Sequence, residues 1–182
     1  MKTFWMTLLL AAVCLEGAAQ DWSLSTNAAD YADFGTINAE MGYGFSRHWN
    51  ASAGVRYNPF TFRSGGGPMQ NRQRTFSAGL RYWPWHIYSG WWLAGKAQYQ
   101  EYNRGGIRSQ ETREGERIGG GLSAGYTYML APWLNLEVGL GLWAGQDRYT
   151  VYSCPVCGLT EDSGRGFFVL PNEVLLALSV IF

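Results

Sequence analysis

From Trp22 onward, apolar and polar residues alternate at period two in eight separate stretches. Ile37, Ala39, Met41, Tyr43 and Phe45 oppose Asn38, Glu40, Gly42 and Gly44. Phe76, Ala78, Leu80 and Tyr82 oppose Ser77, Gly79 and Arg81. Leu134, Leu136, Val138, Leu140 and Leu142 oppose Asn135, Glu137, Gly139 and Gly141. The same rhythm runs from Trp22 to Ala28, Trp49 to Asn58, Trp91 to Gln100, Ile118 to Tyr128 and Val174 to Phe182. A single apolar face at period two predicts a strand in each stretch.

The two faces are unequal in an informative way. Glycine gathers on the polar face, at Gly42, Gly44, Gly54, Gly79, Gly119, Gly121, Gly125, Gly139 and Gly141, while the apolar face is bulky. A soluble sandwich buries its bulky faces against each other. An eight-stranded barrel is so narrow that small inward residues are needed to leave room for a few large ones. The expected fold is therefore all-β: one eight-stranded antiparallel transmembrane barrel of the outer-membrane type, its bulky face turned to lipid. The last strand, Val174 to Phe182, is expected to pair with the strand near Trp22 and close the sheet. Leu178, Val180 and Phe182 on one face of that strand are expected to serve as the membrane-insertion signal.

Connection lengths support the same topology. Ser46-Arg47-His48, Pro84 to Ser89 and Ala131-Pro132 are short, whereas Thr61 to Arg72, Asn103 to Glu116 and Thr150 to Gly166 are long, polar and glycine-rich. Outer-membrane barrels have short periplasmic turns and longer extracellular loops. The three long segments are accordingly expected to be loops. Aromatic residues near the strand ends, including Trp49, Trp83, Trp91, Trp92, Tyr102 and Trp133, are expected to form two interfacial girdles.

Composition narrows the compartment. Charged residues make up 15% of the chain, against ~25% in ordinary soluble domains. No apolar run approaches the length of about 18 residues that a transmembrane helix needs. Net charge is zero, so nucleic acid is not an expected partner. Met1-Lys2-Thr3, the apolar run Phe4 to Val13 and the small residues before Gln20 read as a signal peptide over residues 1–19. Residues 20–182 then form the barrel domain, placed in the outer membrane of a Gram-negative bacterium.

The segments Leu24-Ser25-Thr26-Asn27, Tyr57-Asn58-Pro59-Phe60, Arg81-Tyr82-Trp83, Gly121 to Tyr126 and Cys154 to Gly158 carry a resemblance. In their order and spacing the chain resembles a domain-of-unknown-function family of Bacteroidota outer-membrane barrels, often encoded beside fimbrial genes. The resemblance implies the barrel fold and a role in surface assembly. It supplies no catalytic residues. Phe60 stands where family members often have tryptophan.

Cys154-Pro155-Val156-Cys157 is the sharpest local motif. A redox role needs a helix N-terminus and a thioredoxin-like context, which a loop between strands lacks. A zinc site needs further cysteine or histidine ligands, and His48 and His86 fall in turns at the other end. A disulfide closing a small loop is the expected state outside the cytoplasm. Glu40, Arg56, Arg81, Lys96 and Glu137 all point inward in this parse. Charges in a narrow lumen must pair, so a plugging network is expected over a gated ion path.

Arg63, Arg72, Arg74, Arg104 and Arg108 fall in the predicted loops, and Arg113 and Arg117 alternate there with Glu111, Glu114 and Glu116. Arginine grips phosphate bidentately, so the first five are candidates for lipopolysaccharide contact; a solvated, mixed-charge loop is the alternative. The overall expectation is a non-enzymatic structural or accessory barrel of a cell-surface or envelope assembly, fimbriae included. It has no catalytic residues, metal or cofactor. Its expected partners are outer-membrane lipid, lipopolysaccharide, the barrel-insertion machinery and a larger envelope complex. The alternatives are a small-solute channel and an outer-leaflet lipid A-modifying enzyme. The enzyme would need a histidine near a serine on the lipid-exposed outer side.

Overall fold

The computed structural model describes residues 21–64, 67–107, 111–153 and 159–182. The expected leader over residues 1–19, the Cys154–Cys157 pair and Arg108 lie outside the described residues. The elements are β1 (Trp22–Asn27), α1 (Ala28–Ala32), β2 (Ile37–Gly44), β3 (Trp49–Asn58), β4 (Thr61–Ser64), β5 (Gly67–Tyr82), β6 (Gly90–Gly105), β7 (Thr112–Ala131), β8 (Leu134–Tyr152) and β9 (Thr160–Ile181). Eight of the strands pair in the closed order β1-β2-β3-β5-β6-β7-β8-β9-β1, each with antiparallel neighbours. β4 is a short arm that pairs only with β5.

The seam joins the two ends of the barrel chain. Leu24 stands opposite Val180 and Thr26 opposite Leu178. Trp22 and Phe182 exchange both backbone hydrogen bonds, each at 2.9 Å. The seam stops at Asn27 because its side chain takes over from the backbone. Asn27 Nδ2 donates to the Val174 carbonyl at 3.0 Å, and Oδ1 accepts from the Leu176 amide at 2.9 Å. The same oxygen accepts from Ala29 N and caps α1. One asparagine thus ends a strand and starts a helix.

The packing is inside-out. Leu122 is 76% exposed and Phe167 75%, both on the outer face. Glu137 is 2% exposed, with Asn135, Asn50, Gln98 and Ser179 likewise buried inside. Such an arrangement suits a wall with apolar surroundings and a closed interior.

Three expectations need correction. The long segments are mostly strand: β5 begins at Gly67, β6 runs to Gly105, β7 starts at Thr112, β8 runs to Tyr152 and β9 starts at Thr160. In these extensions both faces are polar, so apolar alternation disappears although the ladder of backbone bonds continues. Trp83, Trp92 and Tyr102 are buried, not part of a girdle, because their parity turns them into the lumen. The chain also contains a helix, α1, where none was expected.

Both ends of the lumen are covered by the chain. Strands β5 to β9 rise above the short β1, β2 and β3, and the segment 28–36 folds across the gap. Asp33 accepts from Asn71 Nδ2 at 2.8 Å and from Gln73 Nε2 at 3.1 Å. Asn58 Nδ2 donates to the carbonyls of Asp33 and Phe34. At the opposite end the turn between β5 and β6 tucks inward. Tyr88, at φ 62°, puts its ring edge-on to Trp83 at 5.5 Å.

The seam makes the terminal residue testable. Purified protein should give a β-rich circular dichroism spectrum and migrate differently in gels before and after boiling. Deleting Phe182 removes the last bonded pair of the seam and should abolish the fast-migrating form. Unchanged migration of the truncated chain would show that closure does not depend on this residue.

Candidate functional site in the barrel lumen

Inward positions recur at every second residue, so each strand contributes a rung to the lumen. β2 contributes Glu40, β5 Arg81, β6 Lys96 and β8 Glu137. Arg81 is the junction. Its guanidinium donates to Glu137 Oε2 at 2.5 Å and to Glu40 Oε1 at 3.0 Å. Lys96 Nζ donates to the other Glu40 oxygen at 2.6 Å. The Arg81 guanidinium carbon also lies 4.5 Å from the centroid of Trp92 and 5.5 Å from that of Trp83. Two carboxylates and two aromatic rings therefore surround one cation, a strong arrangement once desolvated.

The large Trp92 ring fits only because its neighbours lack side chains. A Cβ on Gly125 would meet the indole at 2.4 Å, and one on Gly139 at 2.8 Å. This is the trade between small and large inward residues that a narrow barrel imposes.

Of the five inward charges expected from the sequence, the structure links Glu40, Arg81, Lys96 and Glu137 directly. Arg56, on β3, forms an ion pair with Asp30 of α1 at 2.9 Å. That partner was not legible from strand periodicity, since Asp30 sits on the short helix.

A second cluster occupies the loop-side half of the lumen. Asp147 on β8 accepts from the Tyr102 hydroxyl at 2.9 Å, from Arg113 at 3.0 Å and from Arg117 at 3.4 Å. The guanidinium of Arg117 lies 4.0 Å from the Tyr102 centroid, and that of Arg113 3.8 Å from Tyr149. Trp143 and Phe168 pack edge-to-face at 4.6 Å on the turn side of this cluster. Arg113 and Arg117 are thus β7 residues turned inward, not loop residues. Their alternation with Glu114 and Glu116 carried the strand signal, in charges rather than in apolar residues.

The turn end is closed by apolar groups. Trp83, Tyr88, Trp92, Leu175, Ala177 and Ile181 form the buried cluster. The Tyr88 hydroxyl donates to the Asp21 carbonyl at 3.0 Å and accepts from Asn50 Nδ2 at 3.2 Å. Burial holds this phenol above its usual pKa. The cavity left beside Glu40, Arg56 and Arg81 measures about 30 Å³, room for little more than a water molecule. Among the described residues, these interior side chains tie strands together across the lumen.

The remaining site candidates lie elsewhere. Arg63 is exposed on β4. Arg72 and Arg74 are exposed on the outward parity of β5. Arg104 is on β6, its Nε donating to Asn71 Oδ1 at 2.8 Å. Leu178 and Val180 face outward at the seam beside Phe182. His48 and His86 lie at the turn end, His48 Nδ1 being 2.9 Å from the Trp83 carbonyl.

A family model described as protein of unknown function DUF3575 matches residues 5–182, and the chain belongs to that family. No curated protein and no solved structure matches it.

Replacing Arg81 by leucine leaves Glu137 without its cation inside the lumen and Glu40 with Lys96 alone, and should destabilise the barrel by about 3–5 kcal/mol. Denaturant unfolding in detergent micelles reads this directly. Adding Glu137→Leu to Arg81→Leu should recover part of the loss, because one uncompensated charge is removed. An unchanged midpoint for Arg81→Leu would contradict the assignment of Arg81 as the junction.

Proposed function

We propose that the protein is an integral outer-membrane barrel with a closed lumen, acting as a structural or accessory component of a cell-surface or envelope assembly. The observation that carries this reading is the inverted packing. Bulky apolar residues cover the outside of a closed sheet, while charged and amide side chains fill the inside. In water that outer surface would be a severe aggregation liability. In a bilayer it is the surface that lipid favours.

The lumen supports a scaffold reading over a channel reading. Arg81, Trp92 and Glu137 stand in the cross-section, Tyr88 fills the turn end, and Asp33 ties a cover over the loop side. A non-enzymatic role is consistent with histidines only at the turn end, away from the outer leaflet. The partners on this reading are outer-membrane lipid, the barrel-insertion machinery during assembly, and a larger envelope complex. Fimbrial systems of Bacteroidota are the context that the sequence resemblance suggests.

Reconstitution into planar bilayers tests the closed lumen. The wild-type barrel should insert into lipid vesicles yet show no large, steady conductance. Sustained conductance would replace the scaffold reading with the channel reading, and failure to enter vesicles would remove the membrane assignment.

A further inference from the structure

The strands β5 to β9 carry an unusual row on their outward face. Reading across the sheet, Arg74 stands opposite Glu101, Glu101 opposite Glu116, Glu116 opposite Arg148, and Arg148 opposite Arg165. The next row toward the loop end adds Arg72, Asn103 and Glu114. These side chains line an open recess of about 750 Å³ that also includes Tyr57 and Tyr99.

The arrangement within the recess is ordered by charge. Carboxylates occupy the middle and arginines the two ends. Arg74 reaches Glu101 at 3.7 Å, and Arg148 reaches Glu116 at 3.2 Å. Tyr99 donates to both Glu101 and Glu116, and Asn103 and Tyr152 donate to Glu114. Arg72 and Arg165 have no ion-pair partner among the described residues, and both are exposed. With strands about 4.8 Å apart, the two arginine ends are separated by roughly 19 Å, four strand spacings.

The position of the recess identifies its solvent. The adjoining outward row is Phe76, Tyr99, Ile118, Gln146 and Phe167, and Phe76, Ile118 and Phe167 are widely exposed. One row further lie Ala78, Ala97, Gly120 and Ala144. A Cβ on Gly120 would meet nothing closer than 3.8 Å, so internal packing does not demand a glycine there. The recess therefore stands where an apolar band gives way to polar side chains, on the loop side of the barrel. A ligand there has its polar part against arginine, tyrosine and carboxylate, and its apolar part along the band.

We propose that this recess binds the phosphorylated sugar headgroup of an outer-leaflet glycolipid. Guanidinium groups at the ends take phosphate bidentately. The central carboxylates, with Tyr99 and Asn103, offer acceptors and donors suited to sugar hydroxyls. Acyl chains then continue over Phe76, Ile118 and Phe167. A phospholipid such as phosphatidylglycerol would meet one arginine end but has neither a second phosphate for the other end nor a sugar ring to span the central polar groups. The proposal rests on the membrane reading above and adds a specific lipid to it.

Native mass spectrometry of the full barrel released from micelles tests it, with three probes: diphosphorylated lipid A, the same lipid with both phosphates removed, and phosphatidylglycerol. Wild-type protein should retain diphosphorylated lipid A in preference to both others. Arg72→Gln with Arg165→Gln, which leaves both ion pairs intact, should weaken that retention about tenfold, the size expected from losing charge-assisted contacts. Arg47→Gln, in the turn between β2 and β3, should not change it. Equal retention of the dephosphorylated lipid or of phosphatidylglycerol overturns the glycolipid site, as does unchanged retention by the double variant. In either case a barrel that still inserts into vesicles leaves the membrane reading intact, whereas failure to insert overturns both.

Discussion

A single guanidinium at the centre of the lumen connects strands that share no backbone ladder. Arg81 belongs to β5, Glu40 to β2 and Glu137 to β8, and none of these strands is a neighbour of another in the sheet. Backbone pairing fixes only adjacent strands. The ion cluster adds ties across the diameter, and Lys96 extends them to β6. Among the described residues, most buried apolar groups cluster toward the turn end, with Trp143 and Tyr102 apart from them on the loop side. The cost of desolvating these charges is offset only if every one is paired in good geometry. The short bonds around Arg81, together with the flanking indoles, meet that condition.

The rest of the interior is arranged around this constraint. Gly125 and Gly139 make space for Trp92, which lies against Arg81. Trp83 and Tyr88 close the turn end just beyond it, and the strained φ of Tyr88 is held by bonds from Asn50 and Asn135. On the loop side Asp147 organises a second set of cations. The cover formed by residues 28–36 is anchored to β5 through Asp33 and to β3 through Arg56 and Asp30. The barrel is thus tied across its lumen at several levels.

The barrel itself was legible in the sequence because its outer face and its lumen carry opposite chemistries. Wherever the wall has an apolar outside, side chains must alternate, and Leu134 to Leu142 show this plainly. Seam pairing by the last strand was legible for the same reason. Strand ends were not. Above the apolar band both faces of β6 to β9 are polar, so Arg113 and Arg117 looked like loop residues although their parity points into the lumen. Asp30 and Asp33 escaped notice because their partners, Arg56 and Asn71, lie on other strands and the helix between them has only five residues. The inward charges Glu40, Arg81, Lys96 and Glu137 could be chosen by parity alone, but which pairs they form depends on the shear of the closed sheet. Trp92 was misplaced in a girdle because its size outweighed its parity.

Single cysteines along β7 would test directly whether the wall separates lipid from a dry interior. In a chain with Cys154 and Cys157 replaced by serine, Leu122, Ala124 and Tyr126 sample the outside, and Ser123 and Thr127 the inside. The account predicts that cysteines at the three outward positions react only with a membrane-soluble maleimide. It predicts that cysteines at 123 and 127 are protected from that reagent and from charged, water-soluble thiol reagents alike. Ready reaction of the 123 and 127 cysteines with the charged reagent would mean an open, wetted lumen and would contradict the closed barrel described above.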